Sequence, residues 1–229
     1  MNLLFSFASS QSQSRRGEPP CSRSTISLSM PFPTAQLVPL IIATSFAAGL
    51  NVYATVATLG LLGRFHAVQL PTNLQSIQEW WVIGIAGALF LVELFADKIP
   101  YFDLVWNALH TFIRIPIAAV IAYAASANLS PQWHFASVAL ASGVALAAHS
   151  GKTALRVGVT PSPEPFSNIA ISASEDVLAI ALTWLATKHP YIAATLAVFL
   201  IFLLVLAVHW IWRMLRKTYR LLMAGPSPA

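Results

Sequence analysis

The sequence predicts an all-α integral membrane protein, a polytopic bundle of about six transmembrane helices. Three observations support this prediction. Of the 229 residues, 57% are hydrophobic and only 9% are charged, whereas a soluble domain has about 25% charged residues. Several apolar runs approach or exceed the roughly 20 residues that an α-helix needs to cross a bilayer. Proline, asparagine and glycine mark loops between these runs.

The chain divides into one membrane domain and two short ends. Residues 34–223 form the predicted membrane domain, and residues 224–229 are expected to be a disordered tail. Residues 1–33 are polar and Ser-rich with a single acid, Glu18, which indicates a disordered extension. The same composition suits an organellar transit peptide. Met30, which directly precedes the first apolar run, is an alternative start.

Cysteine content and charge exclude several classes of protein. Cys21 is the only cysteine, so neither a disulfide within the chain nor a cysteine metal site can form. The net charge of +5 does not indicate a nucleic-acid partner, because the basic residues lie mainly at the chain ends and near loops. The expected partners are the lipid bilayer and a second copy in a homodimer, since six short helices make a thin wall. No cofactor is expected.

The first two helices follow from apolar runs on either side of a loop. Leu37–Gly63 contains no charged residue and is long enough to span a bilayer, with a bend predicted at Gly49-Leu50-Asn51. The connection 65–79 has loop residues and is expected to end in a short interfacial stretch. The second helix is predicted from about Val82 to Phe95, with Glu93 near its end.

The third helix is predicted from a shortage of apolar residues. Its apolar run, Ile115–Ala127, is too short to cross a bilayer, so the span must borrow residues from the polar segment 96–114. We expect that segment to be re-entrant or interfacial. His110 and Arg114 therefore lie at or inside the membrane boundary.

Three further helices complete the predicted bundle. The fourth begins at Phe135 and continues to Arg156. The proline-rich stretch 160–165 cannot be helical, because its prolines lack backbone donors and fix φ. The fifth helix is expected over Ser167–Thr187 and the sixth over Tyr191–Trp212.

The distribution of basic residues predicts the orientation in the membrane. With six spans, both termini lie on one side, and the other side receives only Arg64 and Lys188. The positive-inside rule places the termini in the cytoplasm. The expected location is a bacterial inner membrane, or an organellar membrane if residues 1–33 are a transit peptide. The internal basic residues on the side of the termini are Lys98, Arg114, Lys152 and Arg156.

Four polar residues form one stripe of the predicted third helix. Charges at membrane depth cost about 2.5–3.5 kcal/mol each on insertion scales and usually line a cavity or pair with one another. One interpretation makes the stripe a cavity wall, with His110 a proton carrier and Arg114 an anion site. The alternative is an interfacial helix with a solvated polar face. The stripe, with spacings of 4, 3 and 4, is Asp103, Asn107, His110 and Arg114.

Glu93 and Asp97 form a pair of acids one helical turn apart, directly before Lys98. Two neighbouring carboxylates raise one another's pKa, which suits a proton or cation site. The alternative is plain ion pairing that folds the bend, Asp97 with Arg114 or Lys98 with Asp103.

His149, Lys152 and Arg156 form a basic stripe later in the chain. The stripe could attract phosphate or carboxylate or serve as a positive-inside flank, but we favour pairing with acids. Of the adjacent acids Glu175 and Asp176, at least one is expected to face the centre of the bundle. The residues expected along a substrate or ion pathway are Asn51, Glu93, Asp97, Lys98, Asp103, Asn107, His110, Arg114, His149, Lys152, Arg156, Glu164, Asn168, Glu175 and Asp176.

These polar groups leave three functions open. The leading hypothesis is a small transporter or channel, coupled to protons or ions. The second is a membrane-embedded enzyme acting on lipid headgroups, although the sequence has no Gly-rich phosphate loop, no His-Glu-x-x-His and no Gly-x-Ser-x-Gly. Its histidines and acids are usual metal ligands, but no spacing is diagnostic. The third is a scaffold in which the charges are structural ion pairs.

Three stretches of the sequence stand out together, namely Gly49-Leu-Asn-Val-Tyr53, then Phe95-Ala-Asp-Lys-Ile-Pro100 with Trp106 and His110-Thr-Phe-Ile-Arg-Ile-Pro116, and Ser162-Pro-Glu-Pro165 with Asn168, Ser172 and Glu175-Asp176. They resemble the DUF4126 family, small polytopic membrane proteins of unknown function found mostly in bacteria, over roughly residues 35–190. The resemblance implies a fold and a membrane location but no activity.

The chain departs from the family pattern at two places. In that family an acid commonly follows the tryptophan, where this chain has Asn107, and a glycine often follows Arg-x-Pro, where this chain has Ile117 and Ala118. The first departure disfavours any mechanism that needs a carboxylate at position 107.

Overall fold

The computed structural model describes the chain in three stretches, residues 34–96, 102–159 and 165–223. The predicted extension 1–33, the tail 224–229 and the proline-rich residues 160–164 lie outside them. Some side chains within the three stretches are also outside the description, those of residues 34, 102–104, 107, 157–159, 165–168, 218 and 221–223.

The described residues form a helical bundle with no strand, which confirms the predicted all-α fold. Three of the helices begin at a proline, because proline at the first helical position loses no hydrogen bond and already has a helical φ. A short 3-10 helix, Thr72–Gln78, lies in the connection after the second helix. The α-helices are α1 (Thr34–Leu50), α2 (Val52–Arg64), α3 (Trp80–Ala96), α4 (Phe102–Ala125), α5 (Pro131–Val159), α6 (Pro165–Lys188) and α7 (Pro190–Met223).

The helix α1 is the centre of the bundle, packed against α4, α5, α6 and α7. It carries no charge, and its small residues Ala43, Ala47 and Ala48 have no exposed surface. Small side chains let neighbouring backbones approach closely. The helix α1 is therefore surrounded by protein, and its C-terminal end lies inside the bundle.

Three helices are long and apolar enough to cross a membrane, and the described residues hold up to four if the 3-10 helix and α3, bent by 64°, count as one span. These helices identify a polytopic membrane protein, whereas six spans remain a prediction. The last span, in α7, is only 17% buried within the protein, as expected for a helix that faces lipid. The three long spans are Ala108–Ala125, Ile169–Lys188 and Pro190–Lys217.

Two predicted features of the first half of the chain appear in the structure. The first apolar run breaks at Asn51, where α1 ends and α2 begins. The third helix does take up the preceding polar residues, since α4 starts at Phe102 and runs without interruption to Ala125. From Phe102 onward, the segment 96–114 is thus the first part of α4 and not a separate re-entrant element, while residues 97–101 lie outside the description.

Candidate functional site

The interruption between α1 and α2 is the foundation of the site. The backbone of Asn51 is extended, with φ −147° and ψ 105°, so the helix cannot pass through it. In a continuous helix, the N–H of Ala54 would donate to the carbonyl of Leu50. It donates instead to Oδ1 of Asn51 at 2.9 Å, which makes Asn51 the N-cap of α2. The Leu50 carbonyl is thereby made available to a side chain.

That carbonyl accepts a hydrogen bond from Lys152 on α5, whose Nζ lies 3.1 Å away. The neighbouring carbonyl of Gly49 accepts from Nη1 of Arg114 on α4 at 3.2 Å. The carbonyl end of a helix carries a partial negative charge, which favours cations. Two cationic side chains from two other helices therefore cap the broken end of α1.

Both cations also pair with acids. Nη2 of Arg114 donates to Oε1 of Glu93 on α3. Nζ of Lys152 lies 3.0 Å from Oε2 of Glu175 on α6 and 3.9 Å from Oε1 of Glu93. Arg156, one turn after Lys152, places Nη2 2.7 Å from the same Glu175 oxygen. These contacts link α3, α4, α5 and α6 through one network.

Asp176, the acid after Glu175, joins the network through Asn51. Oδ1 of Asp176 accepts from Nδ2 of Asn51 at 2.8 Å, so one amide side chain caps α2 and holds α6. Glu175 and Asp176 are both buried, and both therefore face the centre. We use the term charged centre for six residues, namely Glu93, Arg114, Lys152, Arg156, Glu175 and Asp176.

The charged centre is closed and balanced. Glu93 and Arg114 have no exposed surface, and Lys152 and Arg156 are each 1% exposed. As defined, the charged centre holds three acids and three bases, so the formal charges of these six residues sum to zero. Within the described part of the chain, Oε2 of Glu93 and Nε of Arg114 have no hydrogen-bond partner. Removing one member of such a network would leave an uncompensated charge in a place that water does not reach.

Two histidines adjoin the charged centre, and their partners define their tautomers. Nδ1 of His110 lies 2.7 Å from the Trp106 carbonyl, which can only accept, so Nδ1 carries the proton. In the neutral ring, Nε2 then accepts from the Tyr53 hydroxyl at 3.1 Å. This pair links α4 to the start of α2.

The second histidine has the opposite tautomer. Nη1 of Arg114 donates to Nδ1 of His149 at 3.2 Å, so the proton of the neutral ring is on Nε2. That N–H donates to Oγ1 of Thr111 at 2.7 Å. His149 therefore orients the guanidinium that holds Glu93.

The predicted pathway residues fall into two groups. Asp97, Lys98 and Glu164 lie outside the described residues, as do the side chains of Asp103, Asn107 and Asn168, so the ion pairs predicted for Asp97 and Lys98 are not described. The interpretation that the 149–156 stripe pairs with acids agrees with the contacts of Lys152 and Arg156. The predicted residues that the structure brings together are Asn51, Glu93, His110, Arg114, His149, Lys152, Arg156, Glu175 and Asp176.

Sequence reasoning missed the partners of the histidines and of the cations. Tyr53 and Thr111 were not expected to bond to histidines, although Tyr53 belongs to the Gly-Leu-Asn-Val-Tyr stretch and Thr111 follows His110 directly. The carbonyls of Gly49 and Leu50 carry no side-chain signal at all. Only the predicted bend pointed to them.

A polar cavity of about 610 Å³ lies at the other end of α2, between the loop after that helix and the turn from α4 to α5. With a rise of 1.5 Å per residue, α2 separates this cavity from Asn51 by roughly 18 Å. Its lining includes His66, Gln69, Asn73, Gln75, Gln78 and Asn128. Among the described residues, no three histidines, cysteines or acids are grouped so that they could hold a metal ion.

Fold and site together define a polytopic helical membrane protein with a buried charged centre built on a broken helix. The chain matches the family model "Domain of unknown function (DUF4126)" over residues 38–210 and belongs to that family. The family predicted from the three sequence stretches is thus confirmed. No curated protein and no solved structure matches the chain.

Proposed function

We propose that the protein is a small ion-coupled membrane transporter or channel whose pathway crosses the charged centre. The observation that carries this proposal is the interruption at Asn51. There the Leu50 carbonyl accepts a hydrogen bond from Lys152 and not from the backbone N–H of Ala54. Discontinuous helices whose exposed carbonyls and N-termini meet charged groups are typical of ion and substrate sites in transporters. In this proposal, α1 and α2 are the two halves of one span.

The position of the charges supports the same function. Ionisable residues inside a membrane are costly and mark ion pathways, proton relays and substrate sites. Here His149 contacts the Arg114 guanidinium directly, and His110 lies one helical turn before Arg114 on α4. The histidines and acids offer proton-accepting groups close to a bound anion or cation.

The described arrangement corresponds to a closed state of such a pathway. The charged side chains are held in ion pairs or hydrogen bonds, and none of the six residues is more than 8% exposed as a whole. Movement of an ion would require pairs such as Lys152 with Glu175 to separate and re-form. The polar cavity at the far end of α2 would be the vestibule on the opposite side.

The proposal includes the setting in the membrane. The protein would lie in the inner membrane of a bacterial cell, with both termini in the cytoplasm. The working unit would be a homodimer. The outer face of α7 is exposed, since only 17% of its span Pro190–Lys217 is buried. A second copy would pack on this face. The labelling of a single cysteine introduced at either end of the chain, measured in intact cells, tests the orientation independently of transport.

The transport proposal is tested with purified protein in vesicles. We expect the wild-type protein to carry protons, alkali cations or small anions faster than empty vesicles. The double variant Glu93→Gln/Arg114→Gln keeps the centre neutral and should fold, yet abolish this flux. Lys188→Ala is the matched control, because the exposed Lys188 also donates to a backbone carbonyl, that of Ala67, but lies outside the centre.

A scaffold is the second candidate function, favoured by the buried ion pairs that Glu93 and Glu175 form with three bases. Under that function, reversing one pair as Glu93→Arg/Arg114→Glu would recover stability lost in either single variant, and no ion would move faster than through empty vesicles. Those two results together would overturn the transport proposal.

A further inference from the structure

The ammonium group of Lys152 occupies a pocket of oxygen atoms deep in the bundle. Its Nζ lies 3.1 Å from the Leu50 carbonyl, 3.0 Å from Oε2 of Glu175 and 3.9 Å from Oε1 of Glu93. The side chains of Lys152 and Glu93 have no exposed surface, and that of Glu175 is 10% exposed. Three helices supply these oxygens, and a fourth supplies the cation.

The oxygens are of the kind that bind cations in membrane proteins. The Leu50 carbonyl is at the end of α1 that bears a partial negative charge, and unwound carbonyls together with carboxylates coordinate the coupling ions of transporters. The second oxygen of Glu93, Oε2, is buried and has no hydrogen-bond partner among the described residues. This oxygen is a second acceptor on the same carboxylate.

The charge of the ammonium defines the valence of the ion that fits. Replacing Lys152 by a neutral residue removes one positive charge, whichever other groups contact the charged centre. A monovalent cation restores that charge, whereas a divalent cation would add a further positive charge where charge is costly.

We infer that this pocket is a monovalent-cation site that the chain fills with its own tethered ammonium. The Lys152 side chain takes the place that a free alkali cation would hold on the broken end of α1. The wild-type protein therefore needs no free Na⁺ or K⁺ at this position. Where the proposed transport function also holds, and only then, transport would need no free Na⁺ or K⁺ bound at this position.

The test is thermal unfolding of purified Lys152→Ala, which removes the ammonium and most of its stem. Melting is followed in chlorides of Na⁺, K⁺, ammonium or the bulky N-methylglucammonium, at one ionic strength. We expect at least one small cation to raise the melting temperature of Lys152→Ala in a saturable manner by several degrees over the bulky cation. Wild-type protein should show no such difference.

Two further variants separate a cation site from a general salt effect. Lys152→Arg keeps a tethered cation in the pocket, so its melting should not depend on the added cation. Lys188→Ala removes an exposed lysine that donates to the Ala67 carbonyl at 2.7 Å, and it should likewise be insensitive.

The inference is overturned if Lys152→Ala melts at the same temperature in all four salts, or if wild type responds as strongly. If Lys152→Ala is too unstable to purify, the test uses Lys152→Ala/Glu175→Gln, which loses one charge of each sign and so keeps the net charge of wild type. If this double variant folds and Lys152→Ala folds in no salt, small cations do not replace the ammonium and the inference is wrong. Because stability is measured, the site can be present in a protein that moves no ion.

Discussion

Two stretches of basic residues in this protein look alike in sequence and differ completely in structure. One is the stripe on α5, with Lys152 and Arg156 one turn apart. The other is the flank on α7, with Arg213, Arg216 and Lys217 at similar spacing. Lys152 and Arg156 are each 1% exposed, whereas the basic residues of α7 are exposed.

Neighbouring residues explain the difference. The α5 stripe faces Glu175 on α6. Earlier in α5, Ala145 and Ala148 have no exposed surface, and both lie close to Gly49 of α1. The α7 flank lies among large exposed side chains such as Trp212 and Leu215. Basic spacing alone thus does not distinguish a membrane flank from a buried network. Acids on a facing helix and small residues on the same helix distinguish the two.

The largest loss of stability is expected from a substitution within the buried stripe of α5. Arg156→Met should lower the free energy of unfolding by about 3–5 kcal/mol, because Glu175 loses a partner inside the protein. For a chain of this size that corresponds to a fall of roughly 6–20 °C in melting temperature. Thermal unfolding in detergent measures it, with Arg216→Met, from the exposed flank, as the matched control. Equal effects of the two variants would contradict the comparison.

A smaller effect is expected where α1 approaches the buried stripe. A methyl group added at Gly49 would lie 2.6 Å from the Ala145 carbonyl oxygen and 2.7 Å from the Ala148 methyl. Such overpacking typically costs about 1–3 kcal/mol, so Gly49→Ala should lower the melting temperature and weaken the contact of Arg114 with the Gly49 carbonyl. Gly143→Ala is the control, because no atom lies within 4 Å of the added methyl. Tolerance of Gly49→Ala would show that α1 and α5 are not tightly packed there.

Much of the fold could be predicted because it depends on local composition. Apolar runs indicated the helices, and the Gly49-Leu50-Asn51 stretch indicated the break, since asparagine caps helices and glycine weakens them. The short apolar part of α4 correctly indicated that His110 and Arg114 belong to a helix that continues into the membrane span. These are properties of neighbouring residues, which a sequence displays directly.

The pairing within the site could not be predicted in the same way. That Lys152 meets Glu175 was one of three interpretations, because the contact depends on how α5 and α6 pack and not on either helix alone. The bond from His149 to Thr111 was not foreseen, since a threonine in a helix more often bonds to its own backbone. Backbone carbonyls freed by a break leave no trace in side-chain patterns.

The smallest expected effect concerns the exposed flank of α7. The Arg216 guanidinium lies 4.9 Å from the centre of the Trp212 ring, a contact that is weak when exposed to solvent. Arg216→Ala should therefore change the free energy of unfolding by about 0.5 kcal/mol or less. Thermal unfolding in detergent measures the change. A loss of stability comparable to that of Arg156→Met would mean that the α7 flank is buried in an assembly, and the contrast between the two stripes would then describe the isolated chain only.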